Sequence, residues 1–416
     1  MEEEKGKENA KTGLMSVEPH ANCSNKEEQN EYSGKGGSST TKHDKSFTSD
    51  FELVRSFKLL KTISRHSNTV YSIDCSTFNG SQLLCSGSSD KTVCVWDVKT
   101  NKLVQSFNRH SYLVYCVKFS QYHYHTHNRS VVCSSSQDNT IRFWDFKNNI
   151  QFQMFNGHKH GVCGIEFSSF NGGRYLCSGS IDTTICLWDV ETSKSLHVFN
   201  GHKLGVRCVD ISPLQSNNNN DNNNNNKSNH IGVIGGNGYT ICSGSFDKTI
   251  RIWDIETTKQ LNVFKGHENS VYCIKYGSNE SRIAGGANTI LSGSQDKSAR
   301  LWDIRSGQQI QAFKGHSNEV WAVEYTPFVV NNSEIGGNGN VICSGSWDNR
   351  IRFWDIRSNK MLLHVIKGNE KEDNGISCLT FLELKKKESE HSRNDTNSLN
   401  LFYGSSKGFI RIWGII

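Results

Sequence analysis

Serine, histidine and aspartate recur together along this chain, a combination that can support nucleophilic catalysis. In one copy, Gly-His at 201–202 is followed by Cys-Ser-Gly-Ser-Phe-Asp at 242–247. A catalytic serine needs its histidine and aspartate within hydrogen-bond reach and a substrate carbonyl in front of it. The same set occurs six times, whereas an active site is normally single. We therefore interpret the sets as elements of a structural repeat and predict no enzyme activity.

Metal binding is the second chemistry that the residue types permit. His123, His125 and His127 alternate along the chain, and three imidazoles on one face of an extended segment could hold Zn²⁺ or Cu²⁺. We favour a polar loop for this tract. Thirteen of the 14 cysteines lie at repeat-equivalent positions without a C-x-x-C pair, which favours small apolar side chains in a strand core. The sequence predicts no metal and no cofactor.

Tryptophan marks a repeat that must position these residues. It recurs at 96, 144, 188, 253, 302, 354 and 413, so the period is 44–65 residues. A typical copy reads CSGSFDKTIRIWD over 242–254. Each unit contains short alternating or apolar runs separated by polar turns, which predicts four antiparallel strands.

These strings resemble the WD-repeat (WD40) family over about residues 56–416. The resemblance implies an all-β fold, a seven-bladed WD40 β-propeller with one four-stranded blade per repeat. The last unit ends at Ile416 without a fourth strand, and residues 57–63 match that strand. We expect this N-terminal strand to complete the last blade and close the ring. The predicted organisation is a disordered polar tail over 1–50 and a propeller over 51–416.

The resemblance also implies a structural tetrad in each of six blades. In the family, the Asp accepts a hydrogen bond from the His, the His contacts the Ser, and the Ser contacts the Trp indole. The residues that match are His66, Ser86, Asp90 and Trp96; His110, Ser134, Asp138 and Trp144; His158, Ser178, Asp182 and Trp188; His202, Ser243, Asp247 and Trp253; His267, Ser292, Asp296 and Trp302; and His316, Ser344, Asp348 and Trp354.

The last unit departs from this pattern. Tyr403 stands in place of the Ser and Lys407 in place of the Asp, and Asn369 is nearest to the missing His. Only Trp413 remains of the tetrad. We expect the last blade to be the weakest and to depend mainly on the N-terminal strand.

The resemblance implies that partners bind on the face that carries the tetrad turns, around the central channel. Two positions per blade point there: one follows the first-strand Val, and the other precedes the turn Asp. Aromatic side chains and Arg dominate interaction hot spots, so we expect a binding patch centred on units four to six, with Glu319 at its rim for a basic partner. The predicted binding residues are Tyr71, Tyr115, Ile181, Arg207, Phe246, Tyr272, Glu319, Trp321 and Trp347.

A second motif suggests a different partner. Trp-Asp-Ile-Arg occurs at 302–305 and 354–357, and W-D-x-R in adjacent blades resembles the motif of substrate receptors of cullin-4 ubiquitin ligases. Arg305 and Arg357 would then contact the ligase adaptor. The same residues also suit an ordinary turn between the third and fourth strands.

Composition and charge argue against several other classes of protein. No apolar run approaches the roughly 20 residues of a membrane span, and the N-terminus does not read as a signal peptide. The net charge is +6, and the sequence has no Lys/Arg cluster that would suggest a nucleic-acid groove. We expect a cytoplasmic or nuclear protein, a monomeric propeller within a larger complex that binds peptide segments of other proteins. The alternatives are the ligase receptor and an enzyme with a site at the channel mouth.

Low-complexity insertions interrupt the repeat between first and second strands. They include an Asn-rich run over 217–226, Gly/Asn stretches near 232–238, 284–288 and 331–340, and a charged stretch over 383–398. We expect these to be spacers on the face opposite the tetrad turns.

Overall fold

Alternating side chains and polar turns produce seven four-stranded antiparallel units in the computed structural model of the chain. It describes residues 49–212, 239–277, 288–331, 338–356, 362–384 and 398–415, all within one compact unit over 46–416. The predicted disorder of the tail up to residue 48, most of the low-complexity insertions and Arg357 lie outside the described residues.

The first three elements precede the first complete blade. They are β1 (Ser49–Asp50), α1 (Glu52–Arg55) and β2 (Lys58–Ser64).

Blades one to three follow, with the strands numbered in chain order. Blade one contains β3 (Val70–Phe78), β4 (Ser81–Ser88), β5 (Val93–Asp97) and β6 (Leu103–Phe107). Blade two contains β7 (Val114–Phe119), β8 (Val131–Ser136), β9 (Thr140–Asp145) and β10 (Ile150–Asn156), with the helix α2 (Gln121–His127) after β7. Blade three contains β11 (Val162–Phe167), β12 (Tyr175–Ser180), β13 (Ile185–Asp189) and β14 (Lys194–Phe199), with a 3₁₀ turn at Asn171–Gly173.

Blades four to six repeat this order. Blade four contains β15 (Val206–Ile211), β16 (Thr240–Ser245), β17 (Ile250–Asp254) and β18 (Gln260–Phe264). Blade five contains β19 (Val271–Tyr276), β20 (Thr289–Ser294), β21 (Ser298–Asp303) and β22 (Gln308–Lys314). Blade six contains β23 (Val320–Asn331), β24 (Asn338–Ser346), β25 (Arg350–Asp355) and β26 (Leu362–Lys367), and β1 adds a short parallel strand to β23.

Blade seven joins the two ends of the described chain. Its strands β27 (Ile376–Leu384), β28 (Ser398–Ser405) and β29 (Phe409–Gly414) are completed by β2, which pairs antiparallel with β29. The predicted closure of the ring by the N-terminal strand is therefore confirmed. First strands of neighbouring blades contact one another around the whole ring, including β27 with β3. The first strands line the central channel, and the fourth strands form the outer edge.

The hydrophobic core lies between blades. Each apolar cluster combines residues of two neighbouring blades, as where Val93 of blade one meets Val114 and Trp144 of blade two. The Ser-Gly-Ser sequence of the second strand suits this close packing. A Cβ on Gly244 would lie 2.7 Å from Val271 Cγ1 of the next blade, so a side chain there would force the two blades apart.

The histidine tract of blade two forms a helix, which differs from the predicted loop. The Ser120 side chain caps the start of α2 and contacts His123 Nδ1 at 2.8 Å. His123 is buried against Phe143 and Phe152, and this burial lowers its pKa to about 4. The alternating spacing in sequence suggested an extended segment, whereas capping and burial of the aromatic rings favour the helix.

Candidate functional site

Six polar chains of the same geometry run through the blades. In blade four, His202 Nδ1 lies 2.9 Å from Asp247 Oδ2, and His202 Nε2 lies 2.8 Å from Ser243 Oγ. The Trp253 indole N–H donates to the same Ser243 Oγ at 2.8 Å. The other five tetrads show the same three contacts at 2.7–3.0 Å. Each Ser is fully buried, so no substrate could reach its hydroxyl.

The tetrad carboxylates are held in the ionised form. Burial alone would raise the pKa of Asp247, but hydrogen bonds from His202, Thr249 and Lys203 N–H outweigh burial and lower it below its usual range. The pKa values of Asp90, Asp138, Asp182, Asp296 and Asp348 are lowered in the same way. The carboxylate accepts from Nδ1–H, and where burial lowers the pKa of the His, as at His110, His202 and His267, the neutral imidazole accepts the Ser hydroxyl proton at Nε2. The pKa of His66 is instead raised to about 9, because hydrogen bonds with Asp90 and Cys94 outweigh the effect of burial.

These carboxylates predict a loss of stability in acid. An unfolded Asp has a pKa near 3.9, and the folded values are lower. The stabilisation is therefore complete above pH 4 and is lost as the pH falls below it. We expect the urea midpoint, followed by circular dichroism, to fall steeply between pH 4 and pH 2.5, with a loss of roughly 1 kcal/mol or more per tetrad.

The matched control for this prediction is Asp247→Asn. This variant should be less stable at pH 7 and should lose less stability on acidification, because one of the six titrating groups is gone. A urea midpoint that stays constant or rises below pH 4 would contradict the assignment.

Blade seven contains a different polar chain. Asp373 is fully buried in the loop that enters the blade. Its Oδ2 accepts from the Tyr403 hydroxyl at 2.9 Å, and its Oδ1 accepts from Arg411 Nε at 2.9 Å. Arg411 Nη1 in turn donates to Thr62 Oγ1 of β2 at 2.7 Å. Comparison with the other units pointed to Asn369 as the residue nearest to the missing His, and it gave no signal for Asp373, which has no counterpart in those units.

An array of aromatic rings covers the channel mouth on the tetrad-turn face. Trp321 and Trp347 stack with centroids 4.9 Å apart and planes 6° from parallel. Trp321 also contacts Tyr272 at 4.6 Å and, across the channel, Tyr71 at 6.1 Å. Further ring contacts extend the array to Tyr115 beside Tyr71 and to Phe246 beside Tyr272. The structure thus brings the predicted aromatics of blades one, two, four, five and six together.

Glu319 holds this array in place. Its Oε2 accepts from the Trp321 indole N–H at 3.0 Å, and its Oε1 accepts from Gln295 Nε2 at 2.8 Å. Both carboxylate oxygens are therefore bonded within the chain. The carboxylate therefore fixes the rotamer of Trp321, and the contact of Glu319 with a basic partner stays a prediction.

Arg207 crosses the channel mouth from blade four. Its guanidinium lies 5.5 Å from the centroid of the Tyr115 ring and 5.6 Å from that of Trp321, distances at which a cation is attracted to a ring face. One guanidinium N–H donates to the Cys163 carbonyl at 3.3 Å. The thiols and phenols beside it raise its pKa against the effect of burial, so it is a permanent cation within the aromatic array.

Ile181 and Trp347 mark the two sides of the mouth. Ile181 is half-buried in the turn of blade three, and a Cβ on Gly205 would contact both Ile181 and Phe246. Trp347 is 37% exposed, the largest exposed aromatic surface of the array. An exposed Trp stacked on a second Trp is a surface that a partner can cover.

A cavity of about 170 Å³ lies in the channel beneath the aromatic array, lined by the first strands. At the other end of this cavity, the fifth residue of the first strand is charged in six of the seven blades. Lys118 pairs with Glu166 at 2.6 Å and Lys275 with Glu324 at 3.5 Å. Asp210 Oδ2 accepts from the Tyr276 N–H at 2.8 Å, and burial raises its pKa to about 6. This ring of charges was not predicted from the sequence, although it has one member in each of the first six repeats, as the Trp residues do.

Arg305 lies on the opposite face, in the turn after β21. It is exposed, and its guanidinium donates to the Asn288 side-chain oxygen at 3.2 and 3.3 Å in the amide orientation that satisfies both groups. Arg357, its predicted counterpart, lies outside the described residues. The structure therefore places one of the two proposed adaptor contacts at an accessible turn.

The described residues were compared with the requirements of a metal site and of a membrane span. Among those residues, no group of three His, Cys, Asp or Glu side chains could hold a metal ion. No helix within the described ranges is long and apolar enough to cross a membrane.

Seven blades around a channel, six of them with a His–Ser–Asp–Trp chain, define a β-propeller built from repeats. The family described as WD domain, G-beta repeat (WD40), matches residues 57–97, 101–145, 149–189, 193–254, 258–303 and 307–355, more than half of the chain. The chain belongs to this WD40 family. The six matches contain the six complete tetrads, and the strands β27, β28 and β29 of the seventh blade lie outside them.

Curated relatives share parts of the repeat region. Superkiller complex protein 8 of Dictyostelium discoideum is 44% identical over 55 residues, 13% of this chain and 18% of the relative. Cell division control protein 4 of Saccharomyces cerevisiae is 32% identical over 141 residues, 32% of this chain and 18% of the relative. The human peroxisomal targeting signal 2 receptor is 38% identical over 61 residues, 15% of this chain and 19% of the relative. The chain thus spans less than a fifth of each.

Proposed function

We propose that this protein is a non-catalytic scaffold that binds peptide segments of other proteins on the tetrad-turn face and assembles a multiprotein complex. WD40 propellers are in general interaction scaffolds, and the relatives found here are WD-repeat proteins of different cellular systems. The observation that carries the proposal is the aromatic array at the channel mouth, with Trp347 37% exposed above Trp321. Rigid aromatic surface of this kind supplies contact area at low entropic cost.

The buried polar chemistry supports a non-catalytic role. Each tetrad Ser already binds its His and Trp, and it lies beneath the blade surface. The channel-mouth arginine contacts rings and a backbone carbonyl, with no carboxylate pair beside it among the described residues. Burial raises the pKa values of the neighbouring Cys163 and Cys208 thiols, so neither is an activated nucleophile. An enzyme with a site at the channel mouth would require such groups.

The environment of the cysteines supports a cytoplasmic or nuclear location. The 13 described cysteines are free thiols, and most are buried between blades. A chain with this many free thiols is suited to a reducing compartment. We propose a single propeller as the functional unit, with binding to membranes or nucleic acid not part of its role.

The test compares partners of the wild-type chain and a Phe246→Ala/Trp321→Ala/Trp347→Ala variant by affinity purification from native lysate. We expect specific partners to decrease at least tenfold, because loss of one hot-spot aromatic typically costs about 2 kcal/mol or more. Leu261→Ala/Ile310→Ala, which removes exposed apolar side chains on the outer edge of the ring, is the matched control and should retain the partners. Circular dichroism shows whether each variant remains folded. Unchanged partners in a folded triple variant would contradict the proposed face.

A second candidate function is that of a substrate receptor of a cullin-4-type ubiquitin ligase. The exposed guanidinium of Arg305 in the turn after Trp302-Asp303 is the observation that favours it. Co-purification of the ligase adaptor that is lost in an Arg305→Ala/Arg357→Ala variant, but kept in the channel-mouth triple variant, would distinguish this role from the scaffold.

A further inference from the structure

The tetrad-turn face carries an excess of exposed positive charge. It is formed by fourteen connections, the loops that enter the blades and the turns between second and third strands. The six tetrad carboxylates in these connections are bonded internally to their histidines. Outside the tetrads the connections hold five carboxylates, of which Glu372 and Asp373 pair with Arg411. They also hold ten exposed cations: Arg65, Lys91, Arg109, Lys159, Lys203, Lys248, Lys265, Lys297, Lys371 and Lys407.

This charge is divided unevenly around the ring. The carboxylates outside the tetrads, Glu268, Glu319, Glu370, Glu372 and Asp373, all belong to blades five to seven. In blades one to four the connections carry cations and no carboxylate other than the tetrad Asp residues. The face therefore has a basic half over blades one to four, beside the aromatic surface of Trp321 and Trp347 on blade six.

Backbone geometry holds these lysines in exposed positions. Lys91 and Lys248 follow the turn Asp with φ of 72° and 69°, which is the left-handed conformation that a tight turn imposes. The backbone N–H groups of Lys159 and Lys203 donate to Asp182 and Asp247 at 2.8 and 2.9 Å. The main chain is pinned by the tetrads, and all four side chains are exposed. The tetrads thus explain the position of the backbone, but their hydrogen bonds do not require lysine side chains at these positions. Lys91 has a further contact within the face, with its Nζ 5.7 Å from the centroid of the Tyr112 ring.

Arg207 lies between the basic half and the aromatic surface of Trp321 and Trp347. It projects from blade four into the channel mouth and contacts Trp321. No carboxylate among the described residues forms an ion pair with it, and the effect of burial on its pKa is outweighed by the neighbouring thiols and phenols. A guanidinium in this environment can bind an anionic group of a ligand by donating hydrogen bonds to it.

We propose that the partner segment is an acidic peptide. An apolar or aromatic residue of the peptide stacks on Trp347, and its acidic side chains lie over Arg207 and the lysines of blades one to four. This inference rests on the proposed peptide-binding function and specifies the chemistry and direction of the partner. The aromatic surface of Trp321 and Trp347 supplies the affinity for the apolar residue of the peptide. The basic half orients the peptide and speeds its association with the propeller.

The test is a selection from a random twelve-residue peptide library displayed on phage, against the immobilised full-length chain. We expect enriched peptides to contain an aromatic or large apolar residue with Asp or Glu at least threefold above the input on one side of it. Binding of a resynthesised peptide, measured by fluorescence anisotropy, should weaken about tenfold between 50 and 300 mM salt, since exposed charges are screened.

Two variants locate the charge effect. Lys91→Gln/Lys159→Gln/Lys203→Gln/Lys248→Gln removes the cations of the basic half and should weaken binding at least tenfold. Its matched control, Lys99→Gln/Lys147→Gln/Lys194→Gln/Lys259→Gln, removes the same net charge from exposed positions away from the tetrad-turn face and should bind as the wild type does. Arg207→Gln tests the central contact, and circular dichroism verifies folding.

The outcomes separate this inference from the proposed function. Neutral or basic peptides whose binding is lost in the Phe246/Trp321/Trp347 triple variant would overturn the acidic partner and leave the peptide-binding face standing. Equal weakening by both lysine variants would also overturn it, because net charge alone would then explain the effect. Enrichment of no peptide, or binding of a single-stranded RNA at the same lysines in preference to acidic peptides, would overturn both proposals.

Discussion

A chain that lacks residues 1–64 should fail to form the closed propeller, whereas one that lacks residues 1–48 should fold as the full chain does. The longer deletion removes β2, the fourth strand of blade seven, and leaves the backbone groups of β29 exposed as an open edge. It also removes Ile63, which is buried with Ile410 and Ile412 between blades seven and one. We expect loss of the cooperative transition in thermal unfolding, and aggregation in size-exclusion chromatography.

A chain that lacks residues 1–57 keeps β2 and loses the segment before it, so it separates ring closure by β2 from the packing of that segment. This segment buries Phe51, Val54 and Phe57 at the seam of blades six and seven, where Phe51 and Phe57 contact Phe328 at 6.3 and 6.0 Å. Burial of three such side chains contributes roughly 5 kcal/mol, so this chain should fold with a lower urea midpoint. Equal stability of all three truncated chains would contradict the role of β2.

The repeat made most of the fold predictable. The regular spacing of Trp, Asp and Ser-Gly-Ser assigns every second and third strand, and the missing fourth strand after Trp413 identifies β2 as its replacement. Such inference works because the hydrophobic core of each blade packs against that of its neighbours, so one unit's pattern determines the packing of the next. The tetrad geometry follows from the same repetition.

The features that were not predictable depend on contacts outside the repeat. Asp373 has no counterpart in the other units, so comparison of units could not find it. The contact of Trp321 with Tyr71 joins blades six and one across the channel, and only closure of the ring brings these residues together. The hydrogen bonds of Glu319 were also not predictable, because its partner Gln295 belongs to the neighbouring blade five.

The largest effect of a single substitution is expected at Asp373. Asp373→Ala leaves Arg411, which is 3% exposed, with its guanidinium partly unpaired, and it removes the acceptor of the Tyr403 hydroxyl. Breaking a buried ion pair on one side typically costs about 3–5 kcal/mol. We expect a loss of this size in urea unfolding at pH 7. Glu370→Ala, an exposed residue of the same loop, is the matched control and should change stability by less than about 0.5 kcal/mol.

A second variant distinguishes the ion pair from simple loss of packing. Asp373→Ala/Arg411→Leu removes both charges and should be more stable than Asp373→Ala alone, because an apolar side chain leaves no buried cation unpaired. Arg411 also donates to Thr62 of the closing strand, so hydrogen exchange in Asp373→Ala should accelerate in β2 and β29 before it does in blades two to five. A loss below about 1 kcal/mol, or uniform acceleration in all blades, would show that the N-terminal strand closes the ring without this polar chain.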